Sequence, residues 1–172
     1  MPSRSARICW PPPFWGDWAS FGAPGDSARL PPIVRRDLLD TGVAVHGAPP
    51  PPGLPHPTRD DLVAETAAFA RDWLEREGIP APAALLAAGR RRTTKMVLFP
   101  VRFLATIEAG LAGSNAEAVA WYVDAGRPYA ALATAALCWR TEPIADPAEA
   151  ERLLADLPAL YDEALTALRR EA

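Results

Sequence analysis

The sequence predicts an all-α protein, an antiparallel bundle of about five to six helices behind an irregular, Pro- and Trp-rich N-terminal arm. Three observations predict it. From Thr58 onward, apolar residues recur at intervals of about three to four, the spacing that gives a helix one apolar face. Helix-start signals stand ahead of these runs at Thr58, Ser114 and Asp146. The stretches between runs are short enough to connect antiparallel neighbours.

Met1 to Ala28 scatters Trp10, Trp15 and Trp18 among prolines and glycines without a period. Proline triplets favour an extended conformation and do not sit inside helix or sheet. Segment 1–30 is therefore expected to be an irregular arm, either folding over an apolar groove or left from a larger missing domain. Segment 31–57 holds a short amphipathic helix (Pro31 to Thr41, with Ile33, Val34, Leu38 and Leu39), a short extended stretch at Val43–Val45, and a Pro-rich linker over Pro49–Pro57. Segment 58–172 is the helical body.

Within that body, Thr58 supplies an N-cap hydroxyl, and Asp60 and Asp61 place carboxylates in the first turn, where the helix dipole favours them. Leu62, Phe69, Ala70 and Trp73 line one face, and Gly78 with Pro80 ends the helix. A third helix starts near Pro82 and pauses at Gly89-Arg90-Arg91-Arg92. Lys95 to Ala109 follows. Its Met96, Val97, Phe99, Val101, Phe103, Leu104 and Ile107 cover most of a helix circumference, which marks the helix that others surround. Pro100 removes a backbone donor there and is expected to bend it. Ser114 and Glu117 form a capping-box pattern ahead of a helix with Trp121 on its inner face. Pro128 opens a helix to Trp139, and Asp146-Pro147 opens the last, which Pro158 interrupts before Arg170.

At 172 residues the chain has room for one domain with a real core and not for two ordinary ones. Its 49% apolar content is that of a globular protein, and a net charge of −3 gives no footprint for nucleic acid or an anionic membrane. No apolar run approaches the roughly 20 residues of a membrane span. Cys9 and Cys138 are too few for a disulfide framework or a four-ligand metal site. Both read as reduced thiols, with Cys138 expected in a helix core. The N-terminal arginines precede Trp-Pro-Pro-Pro rather than the apolar stretch of a secretory signal, so a cytoplasmic protein is expected.

The inventory for catalysis is thin. His46 and His56 fall in the linker without a third ligand nearby. No G-x-S-x-G elbow and no G-x-x-x-x-G-K loop is present. The exception to the apolar pattern is Arg102, a permanent charge in the middle of the most buried-looking helix. It calls for an anionic partner, because an unpaired buried charge costs several kcal/mol on the order of magnitude known for such groups. Glu108, another carboxylate, or the phosphate of a ligand would each serve.

Three segments, VLFPVRFLATIEAG, SNAEAVAWY and AALATAALCWR, taken in this order and spacing, resemble the helical C-terminal domain of aminoglycoside adenylyltransferase-like nucleotidyltransferases. The upstream GVAVHGAPPP is similar to the extended segment that precedes this domain in that family, and the resemblance spans Leu38 to Arg140. It implies a nucleotide contact at Arg102. A lysine that also serves the nucleotide falls on Asn115, so one positive contact is replaced. The drug-contacting tryptophan and two aspartates of the family fall on Ala83, Ala88 and Arg92. Aminoglycosides are polycations, and Arg90, Arg91 and Arg92 would repel one; the three could instead meet an anion or form a solvated charge run. Trp121 and Trp139 match aromatic positions of the family and read either as core or as a ligand-facing platform.

The resemblance also implies what this chain lacks. The family's Gly-Ser turn and paired aspartates hold Mg²⁺ in an N-terminal catalytic domain, and nothing here matches them. ATP and Mg²⁺ are accordingly expected only together with a catalytic domain supplied by another chain, with no autonomous catalysis. The alternative is a helical interaction module, a homodimer or the partner of a separate catalytic subunit, which would expose an apolar patch of several hundred Å² on the order of known interaction sites.

Overall fold

The computed structural model describes residues 31–41 and 55–170. The arm over 1–30, the extended stretch at Val43–Val45, His46 and most of the Pro-rich linker lie outside the described residues. Every regular element among the described residues is a helix. They are α1 (Pro32–Thr41), α2 (Arg59–Arg76), α3 (Pro82–Ala87), α4 (Arg90–Ala109), α5 (Asn115–Asp124), α6 (Ala130–Cys138), α7 (Pro147–Leu154) and α8 (Leu157–Arg170).

The count exceeds the five to six expected, for two local reasons. Gly89, at φ 94°, separates α3 from α4 by a conformation that residues with a Cβ avoid. The last helix is broken at Ala155 and Asp156, and Pro158 sits in the first turn of α8, where its missing N–H costs nothing. Helix α4 therefore begins at Arg90 rather than Lys95, and it continues through Pro100.

Helix α4 is the centre. Twelve of its twenty residues are buried, and α2, α3, α5, α6 and α8 all pack on it. Its carboxyl end is closed three ways. Gly110 turns left-handed at φ 67°, the Leu111 N–H reaches back to the Ala105 carbonyl at 3.2 Å, and the Arg59 Nη2 donates to the Ile107 carbonyl at 2.7 Å. A cation at that end also complements the helix dipole.

The caps follow the sequence closely. Thr58 Oγ1 accepts from the Asp61 N–H at 3.1 Å while Asp61 accepts from the Thr58 N–H at 2.9 Å. Ser114 and Glu117 make the same reciprocal pair for α5, and the Asp146 carboxylate accepts from the Ala148 and Glu149 N–H groups for α7. These bonds to backbone and side chain of Thr58 and Ser114 hold the Asp61 and Glu117 carboxyls below their ordinary values.

One placement differs from expectation. Cys138 is exposed. Leu132, Ala133, Ala136 and, one turn on, Trp139 face the core from α6, and at about 100° per residue Cys138 falls on the side opposite Ala136. The alanine-rich composition of α6 hid its polarity, since a helix apolar all round announces no outer face.

Candidate functional site

Two clusters of polar and aromatic side chains lie against α4, one at its carboxyl end and one running from its first turn past its middle. At its carboxyl end, the turn after α5 carries Arg127 inward. Gly126 permits that turn with φ 63°, and the Arg127 N–H closes it on the Tyr122 carbonyl at 3.3 Å. The guanidinium then spans two carboxylates: Glu108 from the last turn of α4, and Glu163 of α8, whose Oε1 accepts from Nη1 at 2.8 Å. The Tyr122 hydroxyl donates to the other oxygen of Glu163 at 2.5 Å. Beneath, the Arg127 guanidinium lies 5.0 Å from the Trp121 ring centroid and 6.0 Å from that of Tyr122, within cation–π range.

The electrostatics of this cluster are self-consistent. Burial works against the charge of Arg127, but hydrogen bonds and attraction from Glu108 and Glu163 outweigh it and raise its pKa. Burial, then the bond and the negative charge of Glu163, push the Tyr122 hydroxyl far above its ordinary value, so it remains a donor. The arrangement can hold three helices together; it offers neither a nucleophile nor a base freed for proton transfer.

Around the middle of α4 the aromatic rings collect. Phe69 and Trp73 of α2, Phe99 and Phe103 of α4 and Tyr161 of α8 form one cluster with centroids 5.2–6.4 Å apart. Lys95 lies over the rings of Phe99 and Trp73, and Arg92 pairs with Glu77 at 3.2 Å. Burial and the nearby Glu77 charge raise the Tyr161 hydroxyl, with Arg92 opposing.

The sequence-selected residues separate between these regions. Arg102 is half-buried near the middle of α4, and its carbonyl accepts from the Thr106 hydroxyl at 3.0 Å. Glu108, one of its three candidate partners, is engaged by Arg127. Asn115 opens α5, with an Oδ1 that is buried and meets no donor among the described residues. Trp121 is half-buried under Arg127. Trp139, 9% exposed, packs in the core. Arg92 stands about 15 Å along α4 from Arg102 and about 24 Å from Glu108, at the helical rise of ~1.5 Å per residue. Ala83, Ala88, Arg90 and Arg91 are exposed at that same end of the bundle or beside it.

Arg127, Glu163, Tyr122, Trp73 and Lys95 carry the polar and aromatic contacts that motif reading passes over. Arg127 and Glu163 are 36 positions apart and Tyr122 and Glu163 are 41 apart, so no local spacing announces them. Among the described residues no group of three His, Cys, Asp or Glu side chains is placed to hold a metal ion, and no helix is long and apolar enough to cross a membrane. His56 is exposed in the linker, 3.7 Å from Asp40.

This fold and these contacts define a small all-α bundle built around one long helix. No protein-family model, no curated protein and no solved structure matches the chain.

Proposed function

We propose that this chain is a cytoplasmic, non-catalytic helical binding domain of the nucleotidyltransferase type, forming the nucleotide-side wall of an active site whose catalytic half another chain supplies. The observation that carries the reading is Arg102, a half-buried guanidinium at mid-length of the central helix, at the position where the resembling family contacts its nucleotide. A planar guanidinium suits a polyphosphate because its fork forms two charge-assisted hydrogen bonds. Support also comes from Asn115, whose buried Oδ1 meets no donor among the described residues, although an amide there carries no charge toward phosphate. Against a polycationic substrate stand the arginines at the start of α4.

The interaction-module reading has less behind it. The exposed large apolar side chains among the described residues are Ile79, Leu111 and Val123. Ile79 follows α2 near the start of α4, and Leu111 follows its end, about 30 Å away by helix length, so these do not make one patch.

Titration calorimetry of the chain with ATP and Mg²⁺, repeated with Arg102→Ala, tests the proposal. Saturable binding that the substitution removes is the expected result. No heat up to millimolar ATP would leave Arg102 a structural residue.

A further inference from the structure

The corner where the last turns of α2 meet the first two turns of α4 holds donors in excess of acceptors. Trp73 is 7% exposed, and its indole Nε1–H is buried with no acceptor among the described residues. Lys95, the only lysine in the chain, has its ammonium 5.9 Å from the Trp73 centroid and 5.0 Å from that of Phe99. One turn earlier on the same face, Arg92 meets Glu77 in a pair whose side chains are 48% and 34% exposed. A buried donor without an acceptor is an unfavourable arrangement that native proteins rarely leave. It is distinct from the Arg127 cluster, where every charged side chain has a partner.

We propose that this corner binds the phosphate group of a small phosphorylated ligand. A phosphate presents three terminal oxygens, one each for the Lys95 ammonium, the Arg92 guanidinium and the Trp73 N–H, whereas a carboxylate has only two. The existing contacts yield readily. A cation over a ring at an exposed site is weaker than a charge-assisted hydrogen bond, and an exposed ion pair such as Arg92 with Glu77 contributes little. Lys95 is exposed, so rotation of its side chain off the Trp73 and Phe99 rings moves the ammonium onto the phosphate. This site is separate from the nucleotide contact proposed at Arg102, further along α4.

The single lysine supplies the test. Reductive methylation of the full chain with ¹³C-formaldehyde labels Lys95 as the only side-chain amine and keeps its charge. Sodium phosphate is then titrated at constant ionic strength against sodium chloride, while the Lys95 methyl and Trp73 indole resonances are followed. Saturable movement of both in the millimolar range is expected. Trp73→Phe, which keeps a ring and removes the N–H, should weaken the Lys95 response about fivefold to tenfold. Lys95→Gln, an exposed change that leaves the core intact, should weaken the response of the Trp73 indole at least as much. Arg102→Ala should leave both unchanged. Shifts that chloride reproduces, phosphate affinity indifferent to Lys95→Gln, or loss of the response in Arg102→Ala would each overturn the proposal, the last by moving the phosphate to the nucleotide position.

Discussion

At the scale of single residues, Arg127 ties the turn after α5 to both α4 and α8. Removing it as Arg127→Ala strips Glu108 and Glu163 of their shared cation and leaves Glu163 with the Tyr122 hydroxyl. A loss of about 1–3 kcal/mol is expected, or roughly 3–10 °C in Tm for a chain of this size. Tyr122→Phe removes only the hydroxyl donated to Glu163 and should cost about 1 kcal/mol. Thermal melts of the two variants settle the order, and equal losses would mean that the hydroxyl, not the guanidinium, holds α8. Glu65 makes a prediction of the opposite sign. Burial raises its carboxyl above the ordinary value of 4.5, against the pull of the Ile33 N–H and Arg35. The folded state thus keeps this proton when the unfolded chain has lost it, so this group's contribution to stability falls as pH rises from 4.5 through its folded pKa. Glu65→Gln keeps an oxygen for the Ile33 N–H, 2.7 Å away, and removes the titration. Its Tm should equal or exceed that of the parent at neutral pH and lose the decline across that window. Of this polar layer the sequence made legible only what is local: the capping carboxylates of Asp61 and Glu117 sit three residues from their hydroxyls, whereas the partners of Arg127 come from distant helices.

At the scale of elements, the ends of the helices decide their lengths. Gly110 stops α4 in a left-handed conformation, and a Cβ there would stand 3.1 Å from the Arg59 Cγ. Gly110→Ala should therefore cost about 1–2 kcal/mol from strain and from displacing the Arg59 side chain that caps the same helix. Gly89 has open space around its missing Cβ, but its φ of 94° and ψ of 156° lie in a region that essentially only glycine enters, so Gly89→Ala bears backbone strain alone, of about 1–3 kcal/mol. Paired denaturant melts compare them directly. Ser114→Ala, which removes the α5 cap, belongs in the same series at about 1 kcal/mol. Element starts were legible because Thr58, Ser114, Pro82 and Asp146-Pro147 are local chemical signals. The two extra breaks were harder to read. A glycine inside a run and a proline near a helix start each fit both a pause and a true terminus until the backbone conformation is known.

At the scale of the molecule, the sequence pointed to the right helix as the centre. Met96, Val97, Val101, Leu104 and Ile107 are essentially unexposed, and Leu104→Ala should destabilise by about 2–5 kcal/mol. Cys138→Ala, on the outer side of α6, should be near neutral, and the Cys138 thiol should react with a disulfide reagent without unfolding. The fold class was readable because helical periodicity is written along the chain; the candidate sites were not, because Trp73, Lys95 and Tyr161 meet only after α2, α4 and α8 have packed. That dependence on assembly has a kinetic side. The Arg127 clamp joins α4 to the turn after α5 and to α8, and forms only once helices distant in sequence are already in place. Contacts made after the folding barrier change the rate of escape and leave the rate of formation alone. Arg127→Ala should accordingly fold as fast as the parent and unfold about fivefold or more faster, which makes the clamp a determinant of how long each molecule stays folded.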